Sequence, residues 1–258
     1  MPRQYSTEAL IKNIGVNFYG DNKEKMNEEI AQLFIDTVNE NPNCVLGLAT
    51  GSTPEGVYKL LVEAYNKKEV SFENVKSYNL DEYVGLEETH NQSYRYFMNS
   101  HLFNHIDIKL ENTHIPSNKD DENNLEIYDQ KIKEAGGIDI QILGIGSNGH
   151  IAFNEPGTSF NSNTHIVTLK ESTISDNSRF FNSIDEVPKQ AITMGLNSIM
   201  QAKRIILIAF GKNKQDAIYK MMALDPSEEL PASFLQNHPN VTIYCDEDAA
   251  SLLVDKIA

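Results

Sequence analysis

Short apolar runs alternate along the chain with longer segments in which apolar residues recur every three or four positions. Continuous apolar runs are typical of strands buried on both faces, and the longer repeat is typical of amphipathic helices. The runs predict strands at Ile14–Phe18, Cys44–Ala49, Val75–Leu80, Ile138–Gly144, His165–Leu169, Arg204–Phe210 and Val241–Cys245. The repeats predict helices at Lys23–Asn39, Pro54–Lys67, Gln92–Phe103, Asp121–Ala135, Pro188–Ala202, Lys212–Met222 and Asp246–Ile257.

The alternation of strand and helix predicts the fold class. It favours a mostly parallel sheet with helices on both faces, because parallel neighbours need a crossover connection. We therefore predict an α/β fold, a three-layer αβα sandwich around a modified Rossmann-like, mostly parallel sheet. No linker or repeat interrupts the pattern, so residues 1–258 are predicted to form a single domain. Ligands of such folds bind at the carboxyl ends of the strands.

The charge balance narrows the choice of partners. The net charge of the 258 residues is −15, which disfavours general binding to nucleic acid or to an anionic membrane. No apolar run approaches the ~18 residues of a membrane span, and the N-terminus lacks a signal-peptide pattern. A cytoplasmic protein without nucleic-acid or membrane partners is expected. Cys44 and Cys245 lie in apolar runs, where core packing is the expected role.

Hydroxyl side chains follow the second predicted strand, in the segment Thr50, Gly51, Ser52, Thr53. Thr53 is placed to cap the next helix, and Pro54 suits its first position. Exposed N–H groups at a helix start, together with hydroxyls, can hold a phosphate. An ordinary capped helix start explains the segment equally well, and no Gly-Lys-Ser/Thr follows that would make a Walker A loop.

Two adjacent carboxylates, Asp81 and Glu82, follow the third predicted strand. If the strand geometry continues, they point to opposite sides of the chain. Asp81 lies next to Leu80, so partial desolvation is expected to raise its pKa and to suit it to proton abstraction. Without further context, a solvated pair in a turn is the commoner explanation.

A glycine-rich segment, Gly144–Gly149, matches the G-x-G-x-x-G pattern of dinucleotide-binding folds. That pattern requires a helix to open at its third glycine, but Asn154 and Pro156 break the chain too early for one. The segment is instead predicted to be a turn that presents Asn148, His150 and Glu155. A histidine flanked by an amide and a carboxylate at a strand end is an acid/base candidate.

Two cations complete the candidate set. Arg179 lies in the sequence Asn-Ser-Arg-Phe-Phe, and Lys214 follows Gly211 just after a predicted strand. An exposed cation usually serves only to solvate the surface, so neither indicates a site by itself. Lys214 is the stronger candidate because its position places it at the same edge of the sheet as the other loops.

Together these segments resemble the glucosamine/galactosamine-6-phosphate isomerase family. The matching motifs are LATGSTP, NLDEYVG, GIGSNGHIAFNEPG, NSRFF, VPKQAITMGL and GKNK, in the family's order and from about Cys44 to His238. The resemblance implies a small-molecule substrate, glucosamine 6-phosphate, which is converted with water to fructose 6-phosphate and ammonia. It implies no redox cofactor and no catalytic metal.

The resemblance also assigns roles. Asp81 matches the base that moves the C2 proton and is expected to be ionised but desolvated, and His150 matches the group that opens the sugar ring. Asn148 and Glu155 match the positions that support the histidine. The phosphate set is matched by Thr50, Gly51, Ser52, Thr53, Arg179 and Lys214.

Two departures from the family pattern affect the expectations. Many members have Asp where this chain has Asn148, and an amide can orient an imidazole but cannot stabilise its cation by charge. Members activated by N-acetylglucosamine 6-phosphate carry basic residues where this chain has His165 and Val167, and a longer tail than one ending at Ala258. We predict no such activation. The sequence leaves open whether the protein is a monomer or a homo-oligomer.

Three alternatives remain open at this stage. The related 6-phosphogluconolactonases share the glycine turn, although their sequence after Gly-His differs from Ile151–Glu155 here. Galactosamine 6-phosphate is an alternative substrate, since no motif in the sequence indicates which C4 epimer is recognised. A sugar-phosphate-sensing regulator would need only the phosphate anchor and a DNA-binding module, for which the residues before Cys44 supply no basic patch.

Overall fold

The structure is a computed structural model that describes residues 3–5, 14–117 and 125–257. The strands, in chain order, are β1 Arg3–Tyr5, β2 Ile14–Phe18, β3 Val45–Leu48, β4 Lys76–Asn79, β5 Asp81–Tyr83, β6 Thr113–His114, β7 Ile140–Gly144, β8 His165–Thr168, β9 Gln190–Thr193, β10 Ile205–Ala209 and β11 Val241–Cys245. The α-helices are α1 Lys23–Glu40, α2 Glu55–Asn66, α3 Tyr94–His101, α4 Ile127–Glu134, α5 Glu171–Asn177, α6 Leu196–Ile199, α7 Gln215–Ala223 and α8 Glu247–Ile257.

The main sheet confirms the predicted fold class. Its strand order is β1-β2-β11-β10-β7-β3-β4-β6, and every pairing is parallel except that of β1 with β2. Helices flank the sheet, with α1 packed against α2 and α7 against α8. The central strands β3 and β10 are buried along their whole length, because a sheet covered on both faces shields every side chain from water.

Four strands that end in candidate residues are neighbours in this sheet. The order β10-β7-β3-β4 places the loops after Ala209, Gly144, Leu48 and Asn79 side by side. The strands run parallel, so their carboxyl ends meet at one edge. Segments far apart in the sequence are thereby gathered at the edge where ligands bind in folds of this kind.

A second, smaller sheet was missed by the sequence analysis. It is antiparallel, with β9 paired to β5 on one side and to β8 on the other. The strand predicted at Val75–Leu80 is therefore only the first part of the observed structure, since the chain leaves the main sheet after Asn79 and enters the small one at Asp81.

The helix predicted over Pro188–Ala202 is wrong. The chain forms β9 at Gln190–Thr193 and only a four-residue helix, α6, at Leu196–Ile199. Pairing on both edges of β9 outweighs the helical spacing of its apolar residues. Gly195 then takes an extended conformation, with φ −74° and ψ 171°, which interrupts any continuous helix. A Cβ at Gly195 would lie 2.1 Å from the carbonyl oxygen of Ser162.

The remaining differences lie mostly at element ends. The helix predicted over Asp121–Ala135 begins at Ile127, and residues 118–124 of that region lie outside the described residues. The short strands β1 and β6 were not predicted. The core contains both cysteines, Cys44 and Cys245, as free buried thiols, which confirms the expected packing role.

Candidate active site

An open cavity of about 470 Å³ lies at the shared edge of β10, β7, β3 and β4. Candidate residues from each of the four motif regions line it, so chain segments more than 150 positions apart meet there. The lining candidates are Thr50, Thr53, Asp81, His150, Arg179 and Lys214. The cavity therefore unites a carboxylate, an imidazole, two cations and two hydroxyls.

The hydroxyl-rich loop differs in detail from its sequence interpretation. Helix α2 begins at Glu55, and the carbonyl of Pro54 accepts its first backbone hydrogen bond, from Tyr58 at 3.0 Å. Thr53 is therefore not the capping residue, and no side chain caps this helix. Thr53 lines the cavity instead. Gly51, with φ +87°, makes the tight turn of the loop.

Two of the predicted phosphate residues lie outside the cavity wall. Gly51 and Ser52 are exposed on the loop between Thr50 and Thr53, and neither lines the cavity. The loop contacts the cavity through its two ends. Asn148 and Glu155 also lie outside the wall, where they contact His150 from behind.

Asp81 and Glu82 point to opposite sides of β5, as the strand alternation predicts. Asp81 lines the cavity and is only 8% exposed. Glu82 faces a separate cavity of about 170 Å³. Its carboxylate accepts backbone N–H groups from Tyr94 and Arg95, each at 3.0 Å, at the start of α3.

Burial raises the pKa of Asp81 to about 8, and the negative charge of Glu82 adds to the effect. The expectation of a desolvated carboxylate is met. A pKa of about 8 favours the protonated form of Asp81 at pH 7, whereas the sequence interpretation expects the ionised form. A nearby positive charge would restore the ionised form.

His150 is held by a short chain of hydrogen bonds. Its Nδ1 lies 2.7 Å from Oδ1 of Asn148, and Nδ2 of Asn148 donates to Oε2 of Glu155 at 2.8 Å. An amide oxygen only accepts, so Nδ1 is the donor in this contact and carries a proton. Oε1 of Glu155 lies 3.8 Å from Nδ1.

The glycine turn gives His150 its position. A Cβ on Gly146 would lie 2.2 Å from two atoms of the imidazole ring, so only glycine lets the ring lie against the backbone there. Gly149 adopts φ +85°, which favours glycine. No helix begins between Gly144 and Gly157, as predicted, so the turn is not a dinucleotide-binding one.

The two cations reach the cavity from short 3₁₀ segments. Arg179 lies in Ser178–Phe180, directly after α5, and Lys214 lies in Lys212–Lys214, directly after β10. Both line the cavity that Thr50 and Thr53 line. The convergence that the sequence interpretation requires is therefore present.

Sequence reasoning missed several lining residues, among them Tyr94, Ser147, Thr173 and Asn213. Ser147 and Asn213 lie beside residues already singled out, so their motifs contained them. Tyr94 stacks on Phe153, with ring centroids 6.1 Å apart. No local pattern marks Thr173, because its importance comes from a contact with a residue 18 positions away.

The fold and the site together define an α/β protein whose cavity combines a carboxylate, an imidazole and two cations. A family model described as glucosamine-6-phosphate isomerases/6-phosphogluconolactonase matches residues 21–244. The chain belongs to this family, which confirms the resemblance.

Curated relatives cover nearly the whole chain. The chain is 53% identical over 237 residues to a glucosamine-6-phosphate deaminase of Thermoanaerobacter pseudethanolicus, with 91% of this chain and 94% of the relative covered. It is 51% identical over 234 residues to a glucosamine-6-phosphate deaminase of Clostridium perfringens, with 90% and 97% covered.

Solved structures agree with the fold. A protein described as a monomeric glucosamine-6-phosphate deaminase has a TM-score of 0.88 and 46% identity, with 92% of this chain and 99% of that chain covered. A 6-phosphogluconolactonase from Thermotoga maritima has a TM-score of 0.72 but only 20% identity, with 91% and 100% covered. The second likeness supports the fold alone.

Two kinds of feature are absent from the described residues. Among them, no helix has both the length and the apolar character needed to cross a membrane. In the same part of the chain, no cluster of three or more His, Cys, Asp or Glu side chains is arranged to hold a metal ion.

Proposed function

We propose that the cavity binds glucosamine 6-phosphate and that its residues convert this sugar, with water, to fructose 6-phosphate and ammonia. One observation carries the proposal: a desolvated carboxylate, an oriented imidazole and two cations line a single cavity. The deaminase activity expected from the sequence agrees with the relatives, which are glucosamine-6-phosphate deaminases at about half identity over most of the chain.

In this proposal the phosphate of the substrate lies beside the two cations that line the cavity. Arg179 and Lys214 supply charge, and the hydroxyls of Thr50 and Thr53 supply hydrogen bonds. One guanidinium about 4 Å from a phosphate contributes roughly 4 kcal/mol at an effective dielectric of about 20, before desolvation. Distant carboxylates are screened over a Debye length of about 8 Å, so the net charge of −15 does not prevent binding.

In this proposal His150 opens the pyranose ring. Its Nε2 would take the proton of the C1 hydroxyl and deliver a proton to the ring oxygen as the C1–O5 bond breaks. During this exchange Nδ1 keeps its hydrogen bond to Asn148, which fixes the ring plane. The nearby carboxylate of Glu155 favours the cationic form through which the proton passes.

Asp81 is placed to carry out the isomerisation. As a carboxylate it would remove the C2 proton of the open-chain aldehyde while the C1 oxygen gains a proton from the C2 ammonium, which gives a neutral enolamine. Returning the proton to C1 gives a 2-imine, which water hydrolyses to the C2 ketone with release of ammonia. The substrate itself supplies the activating charge, because a C2 ammonium beside Asp81 lowers the pKa that burial has raised.

Ammonia release from glucosamine 6-phosphate tests the proposal. Wild-type protein should release ammonia and fructose 6-phosphate in equal amounts, and Asp81→Asn should release neither at a measurable rate. Non-phosphorylated glucosamine should be a far poorer substrate. Absence of ammonia from wild-type protein would reject the deaminase proposal.

The same assay separates the alternatives. Ammonia from galactosamine 6-phosphate at a comparable rate would broaden the substrate class. Acid production from 6-phosphogluconolactone without deamination would favour a lactonase. Tight binding of sugar phosphate without turnover would favour a sensor.

We further propose that N-acetylglucosamine 6-phosphate does not activate this protein. His165 and Val167 occupy the positions where activated family members carry basic residues, and Nδ1 of His165 is already 2.7 Å from the carbonyl oxygen of Asn163. The rate curve should be hyperbolic and unaffected by the acetylated sugar phosphate. A sigmoidal curve that this ligand makes hyperbolic would contradict it.

We also propose a monomer that works in the cytoplasm. Support for the monomer comes from the solved relative at 46% identity, which is described as monomeric. Sedimentation at several protein concentrations should give a constant mass near 29.1 kDa. A mass that rises with concentration would instead indicate self-association.

A further inference from the structure

A threonine on helix α5 contacts the group that supports His150. The hydroxyl of Thr173 donates a hydrogen bond to Oε1 of Glu155 at 2.8 Å. Thr173 also lines the cavity, on the segment that continues from α5 to Arg179. The same stretch of chain therefore supplies a phosphate-site cation and a donor to the acid/base network.

The two oxygens of Glu155 are fixed from two directions. Oε2 accepts from Nδ2 of Asn148, which belongs to the glycine turn, and Oε1 accepts from Thr173, which belongs to α5. Oε1 is also the oxygen that lies 3.8 Å from Nδ1 of His150. The threonine bond thus holds in place the oxygen whose charge His150 experiences.

The hydrogen bond of Thr173 is unusual for a threonine in a helix. Such hydroxyls commonly donate to a backbone carbonyl three or four residues earlier, which serves only the helix itself. Here the hydroxyl donates to a carboxylate on a different segment. A hydrogen bond to a charged group is also stronger than one between neutral groups.

We propose that Thr173 is a positioning residue for the deamination described above, acting through Glu155 on His150. The hydroxyl fixes the carboxylate rotamer and so sets the distance from Oε1 to the imidazole. Without it, Oε1 of Glu155 loses this donor, and the carboxylate is held less firmly about its last torsion. Ring opening then slows, while the phosphate contacts remain. The inference rests on the proposed function.

Thr173→Val and Thr173→Ser provide the first test. Valine keeps the shape of threonine and removes the hydroxyl, so kcat should fall about tenfold with KM changed less than twofold. Serine keeps the hydroxyl and should retain at least half of the wild-type kcat. Ser175→Ala, at an exposed position two residues further along α5, is the matched control and should behave as wild type.

A double-mutant cycle tests whether the effect passes through Glu155. In a Glu155→Gln background, Thr173→Val should reduce kcat by less than twofold, because the carboxylate is already absent. A full tenfold loss in that background would overturn the proposal. So would a Thr173→Val effect on KM alone, which would indicate a substrate contact instead.

Titration of the His150 ring by NMR gives a readout that does not depend on turnover. The titration midpoint should shift in Thr173→Val and return in Thr173→Ser. An unchanged midpoint in Thr173→Val would overturn the positioning role. Wild-type protein that releases no ammonia would reject the proposed function, while this titration would still decide the role of Thr173.

Discussion

Asp81 and Glu82 are neighbours in sequence and differ by one methylene group, yet the fold places their carboxylates in different environments. Asp81 faces the open cavity, where burial and the charge of Glu82 both raise its pKa. Burial raises the pKa of Glu82 as well, but N–H groups of Tyr94, Arg95 and Tyr83 and the charge of Arg95 counteract it. One carboxylate is left reactive, and the other is stabilised.

Strand alternation directs Asp81 into the cavity and Glu82 towards the start of α3. Glu82 accepts the first N–H groups of α3, and Ser93 accepts the next, from Tyr96 at 3.0 Å. The Glu82 carboxylate, on the side of β5 that faces away from the cavity, thus links β5 to the start of α3. This contact fixes the strand whose other side presents Asp81, so Glu82 supports the proposed base without lining its cavity.

The largest expected difference is in activity. Asp81→Asn should lower kcat at least about a thousandfold, because the amide cannot accept the C2 proton. Glu82→Gln should stay within about tenfold of wild type, because its side chain lies outside the cavity. Both rates follow from an ammonia assay at saturating substrate. Equal losses in the two variants would remove the distinction between a reactive and a supporting carboxylate.

The pH dependence should show the same contrast. The free enzyme needs ionised Asp81, whose pKa is about 8, so kcat/KM should rise about tenfold per unit up to that pH and then level off. Glu82→Gln removes a charge that raises this pKa, so its acid limb should move to lower pH. If the acid limb of the kcat/KM profile lies at the same pH in Glu82→Gln as in the wild type, the charge of Glu82 does not act on Asp81.

The two substitutions should change stability in opposite directions. The pKa of Asp81 rises from 3.8 unfolded to about 8 folded, so the folded state binds the proton more tightly and the wild type loses stability as pH rises from about 4 to 8. Asp81→Asn avoids this loss and should unfold several degrees higher than wild type at pH 8, with the gap closing towards pH 4.

Glu82→Gln should lower the free energy of unfolding by about 1–3 kcal/mol, because a charged acceptor at the start of α3 is lost. Thermal unfolding of both variants and of the wild type, at pH 4 and pH 8, measures these effects. A stabilised Glu82→Gln protein would contradict the supporting role of that carboxylate.

The smallest effect is expected at the amide that orients His150. Asn148→Asp keeps an acceptor for Nδ1 but replaces the donor that lies 2.8 Å from Oε2 of Glu155 with a second carboxylate. The variant should remain active within about tenfold, with a shifted pH profile. Complete loss of activity would contradict a purely orienting role for the amide.

The sequence accounted for much of the site because short-range patterns marked it. The glycine-rich turn indicated His150, and strand alternation predicted that Asp81 and Glu82 lie on opposite sides of the strand. Contacts between residues far apart in the chain could not be predicted from local sequence patterns. The hydrogen bond from Thr173 to Glu155 was not predicted, and the strand at Gln190–Thr193 was taken for a helix because pairing with β5 and β8 outweighs its local spacing.

The sequence by itself determined the α/β class, the family and the residue types available for chemistry, since each depends on periodicity or on motifs within a few positions. Only the tertiary structure decided that Arg179 and Lys214 line the cavity of Asp81, and that burial raises the pKa of Asp81 there to about 8. Both depend on which loops the parallel sheet places side by side and on how much water that arrangement excludes. Neither quantity is encoded in local sequence.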